Sequence, residues 1–243
     1  MKYPILLSAL LVSLPTMAQE PLSAERPSFS SSPIALDSGF WQLEGGYQYI
    51  RSTSDVDGYA LPLLLLRYGA GDNTEVQLSW SGYNRVDVGP LSFDGVSDMN
   101  LGVKWQLSDD DATTPFGLFA SLSLPVGDND FSSNEVDPTV GLFWAHAGRA
   151  SLFGTVLVSE SGNDTTIGNG VGINLPMADR CKTCSAYLEF VSLFPEGRGP
   201  QHNINGGISW LRSNDFQIDV NLGVGLNDRA DDGYFGFGAA YRF

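Results

Sequence analysis

The chain contains 243 residues, which suffices for one sizeable domain. Its 13 Lys and Arg stand against 28 Asp and Glu, for a formal net charge of −15, and glycine is abundant. Nucleic-acid binding requires clustered basic side chains that meet phosphate, so this charge balance argues against a nucleic-acid partner.

Residues 1–18 have the pattern of a secretory signal peptide. Lys2 supplies the positive end, residues 5–14 the apolar core, and residues 16–18 a small-residue cleavage site. The apolar run is too short to cross a bilayer as a helix, and no longer apolar run follows. An uncleaved N-terminal anchor is the alternative. We expect an exported protein.

Residues 19–38 are polar and contain Pro21, Pro27 and Pro33. They show neither strand nor helix periodicity, so they predict an extended periplasmic lead-in.

Residues 39–243 consist of alternating apolar and polar segments of about ten residues, separated by turn-forming clusters. Two segments fit less well, because Pro62 removes a ladder hydrogen bond and Asn169 lies on an apolar side. The pattern predicts an all-β fold, a single antiparallel transmembrane β-barrel of about 12 strands that is closed by the C-terminal strand. The predicted strands are 40–50, 59–69, 74–83, 96–107, 115–124, 138–147, 150–159, 165–175, 185–194, 203–211, 216–226 and 234–243.

The connectors indicate the orientation of the barrel. With the N-terminus in the periplasm, the extracellular connectors are longer on the whole, as in outer-membrane barrels. A soluble β-sandwich is the alternative, but it explains neither this asymmetry nor the outward aromatic residues near one end. The extracellular connectors are 51–58, 84–95, 125–137, 160–164, 195–202 and 227–233, and the periplasmic ones are 70–73, 108–114, 148–149, 176–184 and 212–215. The outward aromatic residues are Trp41, Tyr68, Trp105, Phe116, Trp144, Trp210, Phe216, Tyr241 and Phe243.

Six inward-facing charges lie near the periplasmic end of neighbouring predicted strands. In order around the wall they alternate in sign: Asp219, Arg242, Glu44, Arg67, Glu75 and Lys104. Buried charges require partners, so the favoured interpretation is an ion-pair ladder that stiffens the barrel. The alternative is a charged constriction that selects solutes. Glu189 stands apart as a possible lumen contact, and we hypothesise that the lead-in enters the lumen with Arg26 near Glu189.

The two cysteines form a Cys181-Lys-Thr-Cys184 pair in a predicted periplasmic loop. A structural disulfide is favoured in an oxidising compartment. A redox centre and half of a zinc site are the alternatives, but zinc needs two further ligands and neither histidine lies nearby in sequence. We therefore expect no metal and no cofactor.

Aspartates are frequent in the predicted loops: Asp55, Asp57, Asp128, Asp130, Asp228, Asp231 and Asp232. Solvated loop charge is the favoured interpretation. The alternative is bridging by divalent cations to lipopolysaccharide phosphates, although no calcium-loop spacing is present. Outer-membrane lipid and lipopolysaccharide are the expected surroundings.

Catalysis is the least favoured function. His146 and His202 have no convincing serine partner in the sequence, and no Gly-x-Ser-x-Gly motif occurs. We expect no enzyme, and a barrel enzyme acting on lipids is the weaker alternative.

The final strand alternates strictly and ends on Tyr241-Arg242-Phe243. It resembles the terminal signal of bacterial outer-membrane barrels, which implies recognition of Tyr241 and Phe243 by the barrel-insertion machinery.

Further motifs resemble, in order, those of the outer-membrane family named after the meta-pathway of phenol degradation, whose members are described as transporters. Glu25 and Ser28 depart from that family's Asp-Arg-Pro-Asp-Phe-Thr opening, and the cysteine pair is not part of the resemblance. The matching stretches are 25–30, 66–69, 95–98, 101–104, 124–128, 136–138, 225–227, 231–232 and 241–243. The resemblance implies an outer-membrane barrel with a transport role.

Twelve strands lie between filled eight-stranded barrels and open sixteen-stranded porins, so the expected channel is narrow. We expect a barrel of the bacterial outer membrane that forms a narrow channel or binding site for uptake of small molecules. Aromatic compounds are suggested by the family name only. A structural or envelope-interaction barrel without transport is the main alternative.

Overall fold

The computed structural model describes residues 20–53, 55–109, 111–148, 151–177 and 181–243. The predicted signal peptide, residues 1–18, lies outside the described residues. In the part of the chain that is described, no helix is long and apolar enough to cross a membrane.

The alternating segments form antiparallel β-strands, joined in one case by a short 3₁₀ turn at Asn129–Phe131. The strands are β1 (Trp41–Thr53), β2 (Val56–Leu61), β3 (Leu64–Gly71), β4 (Thr74–Trp80), β5 (Tyr83–Val88), β6 (Leu91–Val96), β7 (Met99–Gln106), β8 (Phe116–Leu124), β9 (Pro138–His146), β10 (Ser151–Ser161), β11 (Asp164–Pro176), β12 (Cys184–Pro195), β13 (Gln201–Ser213), β14 (Phe216–Gly225) and β15 (Gly233–Arg242).

These strands build a closed antiparallel barrel of twelve staves, as predicted. A stave is one crossing of the barrel wall, formed by one strand or by two strands in succession. Three staves are each broken in two, so β2 and β3 form the second, β4 and β5 the third, and β6 and β7 the fourth. The sheet closes because β15 pairs with β1, from Gln42 opposite Arg242 to Arg51 opposite Gly233. β1 begins and β15 ends at the same rim, which we call the lower end and which corresponds to the predicted periplasmic side. The opposite rim is the upper end.

The broken staves correct two loop predictions. Residues 84–95 were expected to be an extracellular loop, but β5 and β6 form a hairpin there, with Gly89 in the turn at a φ of 55°. Residues 51–58 are also mostly strand, because β1 continues to Thr53 and β2 begins at Val56. Those predictions were wrong because strand pairing continues above the main wall. Pro62 lies at the break between β2 and β3, where a proline cannot donate to the ladder.

The two faces of the wall differ sharply in polarity. On β14, Val220 and Leu222 are 55% and 63% exposed, whereas the inward Asp219 is 3% exposed. The largest fully buried side chains are all polar: Arg67, Lys104, Gln42, Glu44, Glu75, Glu189 and Thr155. A soluble sandwich would have the reverse distribution, so the apolar face is the outside of this barrel.

Aromatic side chains gather outward at the lower end. The rings of Trp41 and Tyr68 lie 4.5 Å apart, and those of Tyr241 and Phe243 lie 5.9 Å apart. Phe216 packs against Tyr241 at 6.5 Å. This arrangement is the one expected of an interfacial aromatic girdle.

Inside the barrel, glycine allows one aromatic ring to lie flat on the wall. Gly172 on β11 pairs with Phe153 on β10, and a Cβ built at Gly172 would lie 2.2 Å from the Phe153 ring. We therefore expect Gly172→Val to destabilise the barrel by about 1–3 kcal/mol through overpacking. The measurement is the temperature at which the compact band unfolds on a gel in detergent. Gly71→Val is the control, because nothing lies within 4 Å of its Cβ position. Equal melting of the two variants would contradict the expectation.

Candidate functional site

Residues 20–38, which we call the plug segment, lie inside the barrel rather than below it. Near its start, Leu22 donates its N–H to the Asn214 carbonyl at 2.7 Å. Just beyond its end, Gly39 donates to the Gly69 carbonyl at 2.8 Å. Both anchors lie at lower-end turns, so the segment rises into the lumen and returns. Leu22, Ala35 and Leu36 are buried there.

A cluster of five buried charges joins the plug segment to the wall of β1, β3, β4 and β7. The Arg67 guanidinium contacts Glu75 at 2.6 Å, Glu25 of the plug segment at 3.1 Å and Glu44 at 3.2 Å. Lys104 bonds to Glu25 and lies 4.0 Å from Glu75. None of the five is more than 8% exposed. We call Glu25, Glu44, Arg67, Glu75 and Lys104 the charge cluster.

The remaining members of the predicted ladder have other partners. Arg242 contacts Asp215 at 2.9 Å and donates to the Glu20 carbonyl at 2.6 Å. Asp219 instead contacts Arg26 of the plug segment at 3.3 Å. The predicted ladder places Arg242 between Asp219 and Glu44, and this part of it was therefore wrong.

Two wall glycines explain why Arg26 reaches Asp219. A Cβ at Gly46 would lie 2.5 Å from the Arg26 guanidinium carbon, and one at Gly238 would lie 2.4 Å from Arg26 Nε. The guanidinium thus occupies space that larger side chains would fill. The hypothesis that Arg26 is the partner of Glu189 was also wrong, because Arg26 forms its ion pair with Asp219.

Wall carboxylates hold the plug segment by its backbone as well as by its charges. Glu44 accepts the N–H groups of Glu25 and Arg26, both at 3.0 Å. Glu189 accepts those of Phe29 and Ser30, both at 2.9 Å. A segment without regular secondary structure must find acceptors for its buried N–H groups, and these carboxylates provide them.

Sequence reasoning missed the amide side chains that complete this site. Gln106 accepts the Ala35 N–H at 3.0 Å, Gln42 donates to the Ser23 carbonyl at 3.0 Å, and Gln77 donates to Glu75 at 2.7 Å. Each glutamine lies two residues from a member of the charge cluster on the same strand face. This spacing of two residues was the sequence signal that could have identified the three glutamines.

Two cavities border the plug segment, and another lies above them at the upper end. The smaller of the two, about 270 Å³, lies between the plug segment and β1 and β14, and its lining includes Glu25, Arg26, Tyr47 and Asn221. The inner cavity, about 510 Å³, opens between the plug segment and β9–β14. Its lining includes Arg26, Ser28, Ser30, Phe153, Lys182 and Ser209. The outer cavity, about 440 Å³, lies at the upper end, and its lining includes Asp98, Asn100, Asp130, Asp137, Thr139 and Glu160. Among the described lining residues, the inner cavity has no carboxylate and the outer cavity has no Lys or Arg.

Cys181 and Cys184 are joined by a disulfide in the turn before β12. Cys184 lines the inner cavity, so this turn forms part of its rim. Within the described ranges, no group of three or more His, Cys, Asp or Glu side chains could hold a metal ion.

His202 does have a serine partner, which sequence reasoning did not find. Ser192 Oγ lies 2.8 Å from His202 Nδ1 across β12 and β13, and His202 stacks on Phe190. A catalytic pair requires an accessible nucleophile and a group that orients the base. Ser192 is only 3% exposed, and no described carboxylate bonds to His202. The contact therefore satisfies two polar groups on the wall without forming a triad.

A closed antiparallel barrel with an apolar exterior and a polar lumen defines the class of outer-membrane β-barrels. Residues 24–243 match the family described as "Putative MetA-pathway of phenol degradation". The chain belongs to that family. No curated protein sequence matches it.

Solved outer-membrane barrels share the fold. The COG4313 outer membrane channel from Pseudomonas putida F1 has a TM-score of 0.64 at 15% identity, over 87% of this chain and 98% of that one. The KdgM porin has a TM-score of 0.54 at 9% identity, over 83% and 99%. The NanC porin has a TM-score of 0.55 at 9% identity, over 83% and 98%. At these identities the likeness concerns the fold alone.

Removal of Arg67 tests the charge cluster. Arg67→Met would leave three buried carboxylates facing only Lys104, so we expect a loss of about 3–5 kcal/mol in stability. Urea unfolding followed by tryptophan fluorescence measures it. Arg85→Met is the control, because Arg85 and Asp87 are 40% and 35% exposed and such pairs contribute at most about 1 kcal/mol. Similar unfolding midpoints for the two variants would show that the cluster does not hold the fold.

Proposed function

We propose that this protein is a narrow channel of the bacterial outer membrane that takes up small molecules. The observation that carries the proposal is the set of solvent-sized cavities beside and above the plug segment within a polar lumen. A barrel that served only as a scaffold would gain stability by filling that space with packed side chains. Kinship of fold with channels and porins supports the same conclusion.

The dimensions support small solutes. Twelve staves enclose a lumen narrower than that of sixteen-stranded porins, and the plug segment occupies part of it. Inward aromatic side chains, including Phe143, Phe153 and Tyr187, are at most 8% exposed in the lumen wall. Tyr187 and Phe153 line the inner cavity opposite Ser28 and Ser30 of the plug segment. Such a surface suits a small molecule with an aromatic ring and polar substituents, in agreement with the family description.

The route to the membrane is part of the proposal. Export would depend on residues 1–18, and assembly on recognition of Tyr241 and Phe243, which are 52% and 58% exposed on the outer face. The apolar exterior would contact lipid, and the aspartates of the upper loops would face lipopolysaccharide.

A structural barrel without transport is the second candidate. The charge cluster favours it, since five buried charges with close partners stabilise a closed lumen. Recording of ionic current decides between the two functions.

We expect discrete single-channel currents from the purified protein in a planar lipid bilayer. Deletion of residues 20–36 should increase the unit conductance, because the segment occupies the lumen and carries one side of the charge cluster. Retention of the compact, heat-modifiable band is the folding control for the deletion. Silence of both proteins would favour the structural role. Equal conductance of the two would show that the plug segment does not obstruct the path.

A further inference from the structure

The inner and outer cavities overlap at β9 and β10, where they lie at opposite ends of the same two strands. The outer cavity extends from there along β8 and β7, and the inner one along β11 to β14. On β9, Thr139 lines the outer cavity and Ala145 lines the inner one. On β10, Glu160 lines the outer cavity and Phe153 lines the inner one. Seven residues along β10 correspond to about 23 Å of strand, so the cavities are separated along the wall at the strands that they share.

The plug segment meets the wall between the two cavities at the bend Phe29–Ser30. A Cβ built at Gly170 would lie 2.6 Å from Ser30 Oγ and 3.0 Å from the Phe29 ring. Gly170 pairs with Thr155, which lies between Phe153 and Glu160 on β10. The bend therefore closes the wall side of the lumen at the level that separates the cavities.

Glu189 holds this bend, and it does so without a cation. Its carboxylate accepts the Phe29 and Ser30 N–H groups and the Asn205 side-chain amide at 3.1 Å. No described Lys or Arg forms an ion pair with Glu189, which is 1% exposed. On the opposite side of the plug segment, in contrast, Glu25 forms ion pairs with Arg67 and Lys104 of the wall.

The contacts around the bend are also incomplete. Three buried polar atoms there, Ser30 Oγ, Thr155 Oγ1 and Asn205 Oδ1, have no hydrogen-bond partner in the described chain. Their residues are at most 3% exposed. Burial of such groups without a partner has a desolvation cost, which disfavours the position in which the bend lies on the wall. Water or a polar solute that bonded to these groups would remove that cost.

We propose that solutes pass along the β9–β12 wall, from the outer cavity to the inner cavity, and that the Phe29–Ser30 bend held by Glu189 is the constriction that limits passage. This inference rests on the proposed channel function. The plug segment stays attached at the charge cluster, beside the cavity of about 270 Å³ that Glu25 lines, because displacement there would separate buried ion pairs. The plug segment thus moves at its Glu189 contact while it remains anchored at the charge cluster.

The charge along this path changes sign. A solute first meets four carboxylates in the outer cavity and then Arg26 and Lys182 in the inner one. Hydroxyl groups line both cavities. The path therefore suits uncharged solutes that form hydrogen bonds, and it disfavours ions of either single sign.

A reversible crosslink tests the constriction directly. In a Cys181→Ser, Cys184→Ser background, Ser30→Cys with Gly170→Cys places two thiols within disulfide range, since bridged Cβ atoms lie about 3.5–4.5 Å apart. We expect oxidation to reduce the single-channel conductance at least about tenfold, and reduction with dithiothreitol to restore it, because a covalent bond holds the bend on the wall. Gly170→Cys alone, in the same background, controls for the added side chain.

Glu189→Gln provides the opposite perturbation. It removes the charge that strengthens two backbone hydrogen bonds, so we expect the open probability to rise about tenfold. Glu135→Gln is the matched control, because it makes the same charge change in an exposed loop. Labelling of Ser30→Cys by a hydrophilic maleimide should be correspondingly faster in the Glu189→Gln background.

The outcomes separate the two proposals. If the native protein conducts but the oxidised crosslink conducts equally, the path along β9–β12 is wrong and the channel function stands. If no variant conducts, the channel function fails. Faster maleimide labelling in Glu189→Gln would then still establish Glu189 as the group that holds the bend, whereas unchanged labelling would overturn that role.

Discussion

The need of buried charges for partners governs this structure. A barrel with an apolar exterior must turn its polar side chains inward, where water is scarce and an unpaired carboxylate is costly. Glu44, Glu75 and Glu189 therefore each bond to groups of the plug segment, and Arg67 joins three carboxylates at once. The plug segment and the wall complete each other's polar contacts. Neither side would be satisfied alone.

This dependence is unequal around the lumen. Buried ion pairs and amide side chains hold the plug segment to β1–β7. On β12, in contrast, its contacts are hydrogen bonds without a cation: Glu189 accepts two backbone N–H groups, and the Tyr187 hydroxyl donates to the Pro27 carbonyl. Both the inner and outer cavities lie along β9 and β10. A fixed side and a weakly held side within one lumen allow a stable barrel to contain a movable constriction, because local opening follows the weakest set of contacts.

Prediction from sequence succeeded wherever strand periodicity governs the outcome. Alternation set the barrel class and identified the inward charges, and Glu44, Arg67, Glu75 and Lys104 do meet. It failed at the β5–β6 hairpin, where the pairing of residues 84–95 continues beyond the wall. The predicted partners of Arg242 were also wrong. Strand order predicts which wall side chains are neighbours, but it does not predict that the plug segment inserts between them. Asp219 forms its ion pair with Arg26 of the plug segment, and Arg242 forms its ion pair with Asp215.

The sequence by itself determined which residues face lipid and which face the lumen, since a period of two in side-chain direction needs no tertiary information. It also determined the approximate number of staves and the family. Only the tertiary structure decided which inward charges pair, where the plug segment lies and which side of the lumen stays open. Those outcomes depend on distances between residues far apart in sequence, and on the space that Gly46, Gly170 and Gly238 leave for side chains of the plug segment.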